Sequence, residues 1–73
     1  MERMVAYKRL LAAGCPYYDA TAMLNYLLDE RLCPSSRNKG NKPMKIRGLM
    51  LSYGVDPDEI EFAADARPWG NSR

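Results

Sequence analysis

Seven acidic side chains are the first candidates for general acid or base work in this chain: Asp29 and Glu30 side by side, then Asp56, Asp58, Glu59, Glu61 and Asp65 in one cluster. Adjacent residues on a helix point to different sides, so Asp29 and Glu30 do not form a facing carboxylate pair. The first three acids of the cluster are explained by a helix start, where negative charge meets the positive end of the helix dipole. Cys15 and Cys33 are the two possible thiol nucleophiles, and the sequence contains no histidine to activate either of them. Two cysteines without histidine do not make a four-ligand zinc site, and no glycine-rich phosphate loop of either common type is present. The residue set points away from catalysis, a bound metal or a cofactor.

Chemistry of binding is better represented. Six cations and no acid lie between Arg31 and Arg47, whereas Asp56 to Asp65 holds five acids and no cation, so a net charge of +2 conceals a two-ended molecule. Arg37, Lys39, Lys42, Lys45 and Arg47 could follow a phosphate backbone or an acidic protein surface without reading bases. No aromatic residue is interleaved among them to stack on single-stranded bases. The aromatic residues instead suggest a protein partner. Tyr7, Tyr17, Tyr18, Tyr26, Tyr53, Phe62 and Trp69 exceed what a core this small can cover, and Tyr and Trp are frequent interface anchors. Tyr17, Tyr18 and Trp69 lie outside the helix cores by pattern; with Val5 and Tyr7 on the first helix they are the candidate partner-binding residues.

Seventy-three residues and 8.3 kDa confine these groups to one small domain. A chain of this size buries about 60% of the surface its unfolded form exposes, which leaves little room for a deep, dry pocket. No apolar run approaches the roughly 18 residues needed to span a bilayer, and Glu2, Arg3, Lys8 and Arg9 interrupt the first segment, so the reading is a soluble, cytosolic chain in which two free thiols are favoured over a Cys15–Cys33 disulfide.

The positioning elements read as an all-α bundle of about four short helices. Residues 2 to 13 predict a helix with Met1, Met4, Tyr7, Leu10 and Leu11 on one stripe and Glu2, Ala6, Arg9 and Ala13 opposite, stopped by Gly14 and Pro16. Asp19 is the expected N-cap of the second helix, whose stripe is Ala20, Met23, Leu24, Leu27 and Leu28. Arg31 to Lys42, rich in Pro, Ser, Asn and Gly, predicts a long basic loop. A third helix opens at Pro43 with Ile46, Leu49, Met50 and Tyr53 inward, is weakened by Gly48, and ends at Gly54. Asp56 as N-cap, Pro57 in the first position, Glu59 as capping-box partner and a Val55–Ile60 staple then predict a fourth helix to about Asp65. Residues 1–65 form the domain on this reading, and 66–73 a flexible tail. The predicted core comprises Leu11, Leu24, Leu27, Leu28, Leu49, Met50, Val55 and Ile60.

Leu51 to Val55 followed by a capped segment is also the outline of a helix-turn-helix repressor, although its recognition helix would carry five acids toward DNA phosphates. As a whole, a helical chain of this length with a basic loop, an acidic last helix and no catalytic equipment resembles the small RNA-polymerase-binding transcription regulators encoded by lytic Xanthomonas phages. The resemblance implies a non-enzymatic protein acting in the cytoplasm of the infected bacterial host. It implies binding at the N-terminus of the polymerase β′ subunit and the β flap near the RNA exit channel, with sigma displacement, inhibition of initiation and antitermination. Contact with nascent RNA through the basic residues fits that setting, as does a monomer without a membrane anchor. An inhibitor of a host defence nuclease is the competing reading.

Overall fold

The computed structural model describes residues 1–32 and 42–69. They form α1 (Arg3–Ala12), α2 (Tyr17–Leu32), α3 (Lys42–Ser52) and a single 3₁₀ turn, Pro57–Glu59. Among the described residues there is no extended sheet; one parallel pairing joins Glu2 to Glu61.

Both glycine stops follow the same device. Gly14 (φ 103°) and Gly54 (φ 85°) take the left-handed conformation that glycine adopts without a Cβ penalty. Behind Gly14, the Gly14 and Cys15 amides donate to the Leu11 and Leu10 carbonyls at 3.0 Å each; behind Gly54, the Gly54 and Val55 amides donate to Leu51 (2.9 Å) and Met50 (3.0 Å). These paired bonds satisfy the orphaned last carbonyls in the Schellman arrangement, which favours an apolar contact across the cap. Leu10 with Cys15, and Met50 with Val55, are all buried in one cluster, so each helix end is tied to the core as well as stopped.

That core joins Ala6 and Leu10 of α1, Ala20, Met23, Leu24 and Leu27 of α2, Met50 of α3, and Val55 and Ile60 from the C-terminal segment. Leu28 is buried too. Two predicted core residues are not: Leu49 is 44% and Leu11 37% exposed. The expected stripe of α1 is rotated. Ala6, assigned to the outer face, is fully buried, whereas Met4 is exposed. A short side chain at the crossing lets helix axes approach closely, and that packing outweighs the larger apolar area of Met4 and Leu11. Gly48 is exposed, and a Cβ there would meet nothing within 4 Å, so no close packing within the described chain requires it.

The N-cap of α2 also moves. The Ala20 amide donates to the Pro16 carbonyl at 2.9 Å, which starts the helix at Tyr17 and puts Asp19 inside its first turn. Tyr17 and Tyr18 are therefore helical residues. The predicted fourth helix shortens to one turn. Asp56 accepts from the Asp58 amide at 3.0 Å, as an N-cap does, with Pro57 following it. The chain then becomes extended at Ile60 (φ −82°, ψ 129°), and the Glu61 amide donates to the Met1 carbonyl at 2.6 Å. A three-residue turn provides no recognition helix, which removes the helix-turn-helix outline. The expected basic loop, with Cys33, Arg37 and Lys39, lies outside the described residues except at its ends, where Arg31 and Lys42 belong to α2 and α3. Residues 70–73 lie outside them too. Residues 66–69, expected in a fraying tail, are held against α1 and α2 as described below.

Candidate functional site

Three of the exposed large apolar side chains, Met4, Tyr17 and Tyr18, meet the partly buried Tyr7 and Trp69 between α1 and α2. Met4 and Tyr7, one turn apart on α1, form one wall of a groove of about 590 Å³; Tyr17, Tyr18, Thr21 and Ala22 on α2 form the other. Helical spacing places the α2 residues on one face, since positions three and four apart are surface neighbours. Asn25 continues that face one turn further, and Trp69 closes the end of the groove.

Two ring pairs shape the walls. Tyr17 and Tyr18 stack with centroids 4.4 Å apart and planes at 25°, and both are exposed, Tyr18 to 73%. Hydrogen bonding with Tyr18 is the main cause that raises the Tyr17 hydroxyl above the ordinary phenol pKa, followed by partial desolvation and nearby Tyr7. Tyr7 meets Trp69 edge to face at 5.2 Å and 84°, a geometry favoured by the aromatic quadrupole. Trp69 is fixed through its main chain: Asn25 Nδ2 donates to the Trp69 carbonyl (2.8 Å) and the Trp69 amide donates to Asn25 Oδ1 (2.7 Å).

Arg3 completes the attachment of this segment. Its Nη1 donates to the Arg67 carbonyl at 2.9 Å, and its guanidinium lies 4.3 Å from the Trp69 ring centroid and 5.6 Å from that of Phe62. Trp69 also borders a second recess of about 770 Å³, bounded by Arg3, Phe62 and Arg67 and by the acids Glu2, Glu61 and Asp65. Trp69 is thus a wall common to two recesses.

Four of the five candidate partner-binding residues, Tyr7, Tyr17, Tyr18 and Trp69, line the aromatic groove. Val5 is exposed on α1 but does not line it. The basic set does not assemble in the same way. Lys45 is exposed on α3, whereas Arg47 is already engaged, with Nη2 2.7 Å from Glu30 Oε1 and Nη1 2.8 Å from Asp58 Oδ1. In this structure Arg47 is a strut between α2, α3 and the 3₁₀ turn. Arg31 likewise donates to the carbonyls of Ile60 (2.9 Å) and Pro57 (3.2 Å) and lies 5.3 Å from the Phe62 ring centroid. Arg37 and Lys39 are outside the described residues, and Lys42 is placed only by its backbone at the start of α3.

Three of the candidate acids and the Cys15 thiol have structural partners, while Cys33 lies outside the described residues. Glu30 and Asp58 hold Arg47, and Asp56 caps the turn. Burial pushes the Cys15 thiol above its ordinary pKa, against a smaller lowering by its hydrogen bond with Tyr53, and burial together with Cys15 raises the Tyr53 hydroxyl. Among the described residues no group of three or more His, Cys, Asp or Glu could hold a metal ion, and no helix is long and apolar enough to cross a membrane.

Asn25, Met4, Thr21 and Ala22 are the groove residues that sequence reasoning does not select. Thr21, Ala22 and Asn25 flank the buried stripe of α2 and read as its ordinary boundary, while the partner of Asn25 lies 44 residues away. No protein-family model, curated protein or solved structure matches the chain.

Proposed function

We propose that this chain is a non-enzymatic regulator that docks its aromatic groove on a larger protein, and that the partner is bacterial RNA polymerase. The convergence of Tyr7, Tyr17, Tyr18 and Trp69 on one groove, with Tyr17 and Tyr18 exposed, is the observation that carries the docking part. Exposed Tyr and Trp side chains provide large contact area with few rotatable bonds, so fixing them at an interface costs little conformational entropy. The choice of polymerase rests on the resemblance in length, helical character and charge separation. On this reading the chain competes with sigma for the β′ N-terminus and the β flap, lowers initiation and raises terminator readthrough, working as a monomer in the host cytoplasm. Lys45, with Lys42 and Lys39 before it, adds salt-sensitive contact to nascent RNA or to an acidic polymerase surface.

Size-exclusion chromatography of the chain with purified polymerase tests the proposal. A stoichiometric complex is expected, with reduced promoter-dependent initiation and increased readthrough only at stoichiometric amounts. Tyr17→Ala combined with Tyr18→Ala should weaken the complex by about tenfold or more while leaving the thermal midpoint nearly unchanged. Absence of co-elution would falsify polymerase as the partner, and co-elution indifferent to the double variant would reject the groove as the docking surface.

A further inference from the structure

The segment that closes the groove has a sparse attachment. Between Glu61 and Trp69, residues 63, 64, 65, 67 and 68 are exposed, and no helix or strand contains them. The described hydrogen bonds from residues 62–69 to the rest of the chain come from two side chains: Arg3, which holds the Arg67 carbonyl and faces the rings of Phe62 and Trp69, and Asn25, which holds both main-chain polar groups of Trp69; Phe62 also lies beside Arg31, and the Phe62 and Trp69 rings pack against the core. A carboxamide offers a donor and an acceptor side by side, the complement of the main-chain carbonyl and amide of one residue. The Asn25 carboxamide thus satisfies both main-chain polar groups of Trp69 at once.

We propose that Asn25 is a latch: its carboxamide seats Trp69 against Tyr7, and the aromatic groove is competent for its partner only while this latch is closed. The inference rests on the groove being the docking surface, as argued above. Asn25 is a positioning residue here, acting through Trp69. With the latch open, segment 62–69 keeps the Arg3 bond to Arg67 and the packing of Phe62 against Arg31 and the core, while the groove loses its end wall and Tyr7 loses its edge-to-face partner. Docking then requires the segment to be reordered, which lowers apparent affinity by the fraction of molecules in the seated state. Local opening of this kind belongs to the least stable part of a fold, where few buried apolar contacts accompany exposed backbone bonds.

Trp69 is the single tryptophan of the chain, so its fluorescence reports the latch directly and without a partner. Asn25→Ala should shift the emission to longer wavelength and raise quenching by iodide while far-ultraviolet circular dichroism keeps its helical amplitude. Asn25→Asp, which retains the acceptor but loses the donor to the Trp69 carbonyl, should shift it in the same direction. Against polymerase, Asn25→Ala and Trp69→Ala should each weaken binding by about tenfold or more, and the double variant should be no weaker than either single one, because both remove the same wall. Unchanged emission and quenching in Asn25→Ala overturn the latch. So does a shifted emission with undiminished binding, or strictly additive losses in the double variant. A wild-type chain that fails to bind polymerase overturns the choice of partner instead, and the fluorescence comparison still decides whether Asn25 seats Trp69.

Discussion

Glu30 of α2 and Arg47 of α3 form an ion pair at 2.7 Å with unequal surroundings: the Glu30 side chain retains 11% of its exposure and that of Arg47 33%. Removing one partner of a poorly hydrated pair leaves a charge without compensation, which is costly, whereas an exposed pair contributes little. Arg47 makes one bond of each kind, since Asp58, its second partner, is 80% exposed.

Arg47→Met is accordingly expected to destabilise the chain by about 2 kcal/mol, a large share of the roughly 4 to 11 kcal/mol available to a domain of this length. Asp58→Asn should cost less than about 0.5 kcal/mol. Urea unfolding followed by circular dichroism separates the two, and equal losses would show that the Glu30 contact has no special weight.

Leu27, 1% exposed, and Leu49, 44% exposed, provide a paired test of the core. Leu27→Ala should cost about 2 to 5 kcal/mol through lost burial and the cavity left behind. Leu49→Ala should stay within about 0.5 kcal/mol. Reversal of that order in thermal melts would place α3 in the wrong rotation about its axis.

Asp56→Ala removes the acceptor for the Asp58 amide and should destabilise by about 1 kcal/mol. Amide exchange at Asp58 should accelerate relative to the helices. If its protection is unchanged, the carboxylate is not the cap.

Alkaline pH provides a fourth expectation. Burial raises the Cys15 thiol above its ordinary pKa, and burial first, then Cys15, raises the Tyr53 hydroxyl. The folded chain therefore holds these protons more tightly than the unfolded one. Their contribution to stability is complete below the ordinary thiol pKa of about 8.5 and is lost as pH rises through the folded-state values. Urea midpoints measured between pH 7 and 10 should decline less steeply in Cys15→Ala than in the wild type; parallel declines would assign the effect to other groups.

The local signals in the sequence translate well into structure where one short motif settles the matter. Gly14 and Gly54 stop their helices, Asp56 caps its turn, and the α2 stripe from Ala20 to Leu28 is buried. Rotation of a helix is less legible when two faces are both partly apolar. For α1 the choice between Met4 with Leu11 and Ala6 with Leu10 depends on how closely α2 approaches, which no window of α1 encodes. The fourth helix fails for a related reason: its start signal is real, but continuation past Glu59 competes with pairing of Glu61 to Met1 and Glu2. Of the site, the aromatic composition is visible in advance and the convergence is not. Tyr7, Tyr17 and Tyr18 can be selected by type, while Asn25 acquires its role only from Trp69, far along the chain. The charge of Arg47 is equally visible, but its pairing with Glu30 and Asp58 is not.

The parallel pairing of Glu2 with Glu61 also has a kinetic meaning. Its two sides are separated by nearly the whole described chain, whereas the glycine caps and helix turns close over a few residues. Local structure forms before distant ends meet, because closing a long loop costs entropy that is recovered only when the contact is made. Docking of the Ile60–Phe62 stretch beside Glu2 is therefore expected to come late, after the folding transition state. Weakening it should speed unfolding and leave the refolding rate nearly untouched, making this short seam the place where the lifetime of the native fold, as opposed to its speed of formation, is set.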